Sequence, residues 1–302
     1  MMRGPSFLRN TLLLLLALTA TQARAELSEK QARKLITRIG GLQLPGKAVR
    51  VGKIRVISPE IAETTAEIEL VFRLTQNQQG YWRVSEIRAG QDKWEDLDVI
   101  ARANKFELPA ASCETLDPSI RKTNLNDPGV KGVRCLVANL FGVSTPSDAV
   151  RIKEVTSLGM PLGSQPSALA VVLVQMDVRI GKDSEGWHVE EFRTGNRGWL
   201  NLDTVPTAVD SVKRAVAAED LDAIAHALYA FRQDRGFFVI SDKHTVLIDH
   251  LSPHYLVRVI RLDPWHNPYH YQGERDHFLL SSAGPDGKLN TPDDIIVTNQ
   301  AP

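Results

Sequence analysis

Residues 262–271 read LDPWHNPYHY, and residues 278–295 read FLLSSAGPDGKLNTPDDI. In the first stretch Pro264 and Pro268 each lock φ and remove a backbone donor, which shapes a rigid turn. That turn is expected to bury Trp265 and to deliver Tyr269 and Tyr271 into a following strand. In the second stretch the apolar run at Phe278–Leu280 predicts the next strand, and Gly284 and Gly287 allow a tight reversal after it. Asp286, Asp293 and Asp294 then crowd one short loop. Two readings fit these residues: an ordinary turn between strands, or a loop of oxygen ligands for a hard cation. An EF-hand is excluded by spacing, because the twelfth position counted from Asp286 is Val297 where that loop needs a bidentate glutamate.

Upstream, Pro206 breaks the chain, and Val209, Val212, Val216, Leu221, Ile224, Leu228 and Phe231 recur at helical steps. Asp234-Arg235-Gly236 ends this long helix. From about residue 217 to 297 the chain resembles the globular domain of the major pseudopilin of type II secretion systems. The family's Asp-Pro-Trp-Gly-Asn-Pro-Tyr-x-Tyr run is met by Asp263, Pro264, Trp265, Asn267, Pro268, Tyr269 and Tyr271, with His266 in place of the glycine. The resemblance implies one long helix packed on a small antiparallel sheet. It also implies one structural calcium ion, held by the carboxylates of Asp286, Asp293 and Asp294 with carbonyls near Ala283 and Lys288. The pilin's apolar N-terminal helix and its Gly-Phe-type leader site have no counterpart here.

The N-terminus reads differently. Arg3 and Arg9 precede an apolar run, Thr11–Ala20, and Ala23-Arg24-Ala25 offers small residues to a signal peptidase. Residues 1–25 are therefore expected to be a secretory signal peptide, which places the mature chain in the periplasm or outside the cell. There Cys113 and Cys135 are expected to form a disulfide worth roughly 3 kcal/mol. The pair lacks a CxxC spacing and an intervening histidine, which argues against a metal site. The chain has 302 residues and a formal net charge of zero. No basic stripe suggests nucleic acid. Of the eight histidines all but His188 follow Pro206, without a His-Glu-x-x-His pair that would mark zinc.

Between these ends the sequence repeats itself. Gly41, Pro45 and Ala48-Val49-Arg50-Val51 return as Gly142, Pro146 and Ala149-Val150-Arg151-Ile152. Trp82, Glu86, Arg88 and Trp94 return as Trp187, Glu191, Arg193 and Trp199. The expected class is α+β. Two tandem helix-plus-antiparallel-meander repeats, cystatin- or NTF2-like in style, span 26–105 and 106–205, and a pseudopilin-like calcium-binding domain spans 206–302. The strand Ala168–Ile180 is apolar on both faces for much of its length and is expected to be more deeply buried than its counterpart in the first repeat, against the neighbouring domain. The tryptophans are expected in the core, with Glu86/Arg88 and Glu191/Arg193 on the sheet's outer face.

No nucleophile motif, phosphate loop or dinucleotide fingerprint is present. These features lead to the expectation of a non-enzymatic structural or interaction protein with a protein partner, as an accessory of a pilus-like or secretion assembly. The alternative is a periplasmic binding protein whose modules hold a small ligand or envelope polymer in a pocket lined by Trp82 or Trp187.

Overall fold

The computed structural model describes residues 27–76, 80–105, 113, 127–144, 147–159, 166–202 and 204–299. The expected signal peptide lies outside these residues. Ser28 opens the first helix with a capping box: its Oγ accepts from the Gln31 amide at 3.3 Å while Gln31 Oε1 accepts from the Ser28 amide at 3.0 Å. Helix α1 (Glu29–Ile36) leads to strands β1 (Val49–Val51), β2 (Arg55–Ser58), β3 (Ile61–Gln76), β4 (Trp82–Arg88) and β5 (Trp94–Asp96). Asp96 then caps α2 (Leu97–Asn104), accepting from the Asp98 amide at 2.7 Å. A second series follows: α3 (Gly129–Leu140), β6 (Val150–Gly159), β7 (Ser167–Lys182), β8 (Trp187–Arg193) and β9 (Leu200–Asn201).

The two series do not stand as separate modules. β3 and β7 pair antiparallel from Ile61↔Gly181 to Thr75↔Ser167, and the sheet runs β5-β4-β3-β7-β8-β9, with β1 and β2 beside β3 and β6 beside β7. Ile68 and Val174 face each other at the centre, and each also pairs with its own outer strand, at Val49 and Val150. The register slips at matching places: between Arg73 and Leu74 against β4, and between Arg179 and Ile180 against β8. Helices α1 and α3 cover the inner face, so that Ala32, Ile36, Val133 and Val137 share one core with Phe72, Ile68, Val172 and Val178. The Cys113–Cys135 disulfide is formed, with a Cα–Cα distance of 5.9 Å, and anchors the chain ahead of α3 to that helix.

β7 is not buried on both faces. Ala168, Ala170, Val172 and Val174 point into the core, while Leu169, Val171 and Leu173 stay half-exposed. Its apolar outer positions lie beside other strands, β3 and β6, rather than beneath a second layer. Nor are all the tryptophans core. Trp82 and Trp187 pack at the core's edge. Trp94 lies between the guanidinium groups of Arg73 and Arg88, at 4.3 and 4.9 Å, and Trp199 between those of Arg179 and Arg193, at 4.2 and 4.8 Å. Glu86 and Glu191 pair with Arg73 and Arg179.

Helix α4 (Val205–Arg235) spans 31 residues, about 46 Å at the usual rise. Pro206 sits in its first turn, and Gly236, at φ 82°, closes it in the left-handed conformation. Its first turns pack on α2, and Val205 belongs to the sheet's core. From Leu221 onward it builds a second core with α5 (His244–Leu251) and a three-stranded antiparallel sheet of β10 (His270–Gly273), β11 (Phe278–Ser282) and β12 (Ile295–Thr298). No helix among the described residues is long and apolar enough to cross a membrane.

Candidate functional site

The turn at 263–268 is organised by one buried carboxylate. Asp263 Oδ1 accepts from the backbone amides of Trp265 and Asn267, at 3.0 and 2.8 Å, and Oδ2 accepts from Ser282 Oγ at 2.6 Å. Three donors compensate the burial of that charge and fasten the turn to β11. Tyr271 lies in β10 as expected, Tyr269 stands one residue before it, and both are buried. Their hydroxyls donate to Asp220 of α4 at 3.1 Å and to the Val239 carbonyl at 2.6 Å, and burial raises the pKa of both phenols. Trp265 departs from expectation: it is only half-buried, because its ring faces a cavity between the two cores. His266 occupies the left-handed region at φ 68°, a conformation that favours glycine. Its Nε2–H donates to the Trp94 carbonyl at 3.0 Å and so links the turn to β5.

Beyond β11 the acidic loop closes on itself. Gly284, at φ 61°, lies so near Asp293 that a β-carbon there would stand 2.6 Å from its carbonyl oxygen, so this position needs glycine. The Asp286 amide donates to Asp293 Oδ2 at 3.2 Å, and the Lys288 amide to Asp286 Oδ1 at 2.7 Å. The Thr291 hydroxyl is central. Asp293 Oδ1 lies 2.6 Å from it, the Lys288 carbonyl 3.1 Å, Asp294 Oδ1 3.3 Å and Asp286 Oδ1 3.5 Å. One hydroxyl carries one proton and donates to one of these oxygens at a time. Asp293 is held below the usual carboxylate range, chiefly by the Thr291 hydrogen bond. Arg214 of α4 donates to the Asp293 carbonyl at 3.2 Å.

The structure thus gathers Asp286, Asp293, Asp294 and the Lys288 carbonyl around one point. Ala283 is buried at the loop's entry and makes no described bond to Thr291. The donors are all oxygens, which suits calcium in kind. Among the described residues, however, no group of three or more His, Cys, Asp or Glu side chains is arranged to hold a metal ion. Sequence reading passed over Thr291, Asp263 as a buried acceptor, and Arg214; the threonine's place among three aspartates was the signal available for the first.

Residues 204–300 match the family model for type II secretion system (T2SS), protein G. No curated protein and no solved structure matches the chain. The protein G match begins one residue before α4 and takes in the second core and the acidic loop, while the nine-stranded sheet lies outside it. It extends the resemblance read from residues 217–297 to the first turn of α4, the part that packs on α2.

Proposed function

We propose that the protein is an exported, non-enzymatic interaction component that serves a type II secretion or pilus-like assembly, with calcium stabilising its C-terminal domain. The observation that carries this reading is the protein G match over α4, the small sheet and the acidic loop. In this reading the nine-stranded sheet, a fused pair of duplicated modules, stands where a pseudopilin carries its polymerising helix. The matching register slips and the paired arginine–tryptophan stacks support the duplication. Asp286, Asp293, Asp294 and the Lys288 carbonyl would hold the ion, which would relieve repulsion among carboxylates now sharing one hydroxyl. With calcium at a hundredfold over Kd, linkage gives about 2.7 kcal/mol, a rise in Tm of roughly 5–10 °C when the whole mature chain melts in one step. A melt with calcium and with chelator tests it: wild type responds and an Asp293→Ala/Asp294→Ala variant does not. An equal response in both removes the site. For the partner, the mature chain is expected to retain the system's major pseudopilin in a pull-down, and failure to do so removes the assembly role.

A second reading, that the sheet unit holds a small ligand, is favoured by the cavity beside Trp265. Trp82 does not line it, and Trp187 lines a separate, more open pocket of about 730 Å³ with Leu35, Lys182 and Val189.

A further inference from the structure

The inner face of the nine-stranded sheet is not fully sealed by α1 and α3. Over its remaining part lie α2 and the first turns of α4, and beneath them is a cavity of about 590 Å³. Protein interiors pack closely and hold few voids larger than a water molecule, whereas ligand sites measure roughly 300–1,000 Å³ and are apolar with few polar groups. The wall fits that description: Phe72, Ile87, Met176 and Phe192 from the sheet, Ile100 from α2 and Val209 from α4. Its most buried polar feature is an ion pair. Lys213 of α4, its side chain 4% exposed, meets Glu95 of β5 at 2.6 Å, and Lys93 reaches the same carboxylate at 3.1 Å.

We infer that this cavity binds a single-chain anionic amphiphile, with its hydrocarbon chain against the sheet and its acidic head at Lys213. This rests on the second reading above. The charge balance of the wall selects the sign of the head group. Two ammonium groups, Lys93 and Lys213, meet the single carboxylate of Glu95, while Arg193 is paired with Asp177 and Asp210 with Arg214. The Lys213 ammonium carries three donors, and its contact with Glu95 Oε2 is an ion pair without hydrogen-bond geometry. An arriving carboxylate or phosphate can therefore join the pair without displacing Glu95. The head would sit beside an ion pair already out of water, where charge-assisted hydrogen bonds are strongest.

The test uses the mature full-length protein and three twelve-carbon probes below their micellar concentrations: dodecanoate, dodecanol and dodecyltrimethylammonium. A lysophosphatidic acid arm separates a lipid phosphate from a free fatty acid as the natural source. Calorimetric titration is expected to give saturable binding near one per chain, with dodecanoate at least tenfold tighter than the alcohol and the cation unbound. Val209→Trp, which fills the cavity from α4, should weaken dodecanoate at least tenfold, with circular dichroism unchanged. Ile100→Phe serves from the α2 side where that variant does not fold. Glu95→Leu/Lys213→Met should equalise acid and alcohol. Equal binding of acid and alcohol by wild type overturns the anionic class and leaves the small-ligand reading standing. Absence of binding by all probes, or binding untouched by the filled variants, overturns both. The pseudopilin pull-down is independent of these outcomes.

Discussion

Glu95 and Leu200 occupy the same place in the two halves of the sheet. Each follows a tryptophan held between two arginines, each pairs across the ladder with an apolar residue (Ile87 and Phe192), and each lines the same cavity. One half has an acid there and the other a hydrocarbon. The backbone scarcely registers the change, because strand pairing and the matching slips are set by neighbouring residues. What differs is the layer above: α4 brings a lysine to Glu95. Local sequence shapes the ladder, and tertiary contacts decide which side chain a buried position requires.

The sharpest way to break the comparison is to make the halves alike. Glu95→Leu leaves Lys213 buried without its carboxylate, and removing one partner of such a pair costs about 3–5 kcal/mol. Urea unfolding should show that loss, and Glu95→Leu/Lys213→Met should recover most of it. Next, the disulfide belongs to one half only: by the repeat, α1 has Lys34 where α3 has Cys135. Cys113→Ser/Cys135→Ser should cost roughly 3 kcal/mol by the loop-entropy argument, read by the same method.

Acidification bears on the second core rather than on the sheet. His244 is buried there, its pKa lowered from 6.5 to about 4 by burial first and by the charge of His270 second. The unfolded chain takes up a proton below pH 6.5 that the folded one refuses until about pH 4. This contribution is therefore complete above pH 6.5 and lost as pH falls toward 4, by up to about 3 kcal/mol. Denaturation between pH 7.5 and 4.5 should show this slope, and His244→Phe should flatten it. The smallest effect comes from the matched pair Arg73→Ala and Arg179→Ala. Each should cost up to about 1 kcal/mol, with Arg179 the dearer because it also bonds Glu63 at 3.1 Å.

The second core was largely legible in the sequence because its determinants are local. Prolines at 264 and 268, glycines at 284 and 287 and the stripe from Leu221 to Phe231 each act on nearby chain. The shared sheet was not legible, since β3 and β7 are distant in sequence and apolar residues at Leu169, Val171 and Leu173 erase the alternation that marks a one-sided strand. Lys213 was invisible for a related reason. The apolar stripe of α4 was read through Val209, Val212 and Val216, which prove half-exposed, while the lysine beside them is the buried residue. Periodicity of hydrophobic residues cannot register a charge buried with its partner.

Helix α4 has a mechanical consequence. It is one unbroken rod whose first turns close the sheet's core and whose last turns form the centre of the other. Arg214 on that rod grips the acidic loop, next to the lysine that holds Glu95, while His266 ties the neighbouring turn to Trp94 on the same strand. A pull on the C-terminal loop is therefore delivered along two routes to β5, the edge strand of the large sheet. The tail behaves as a handle rigidly fixed to the body, and heat or load should release both units in a single step.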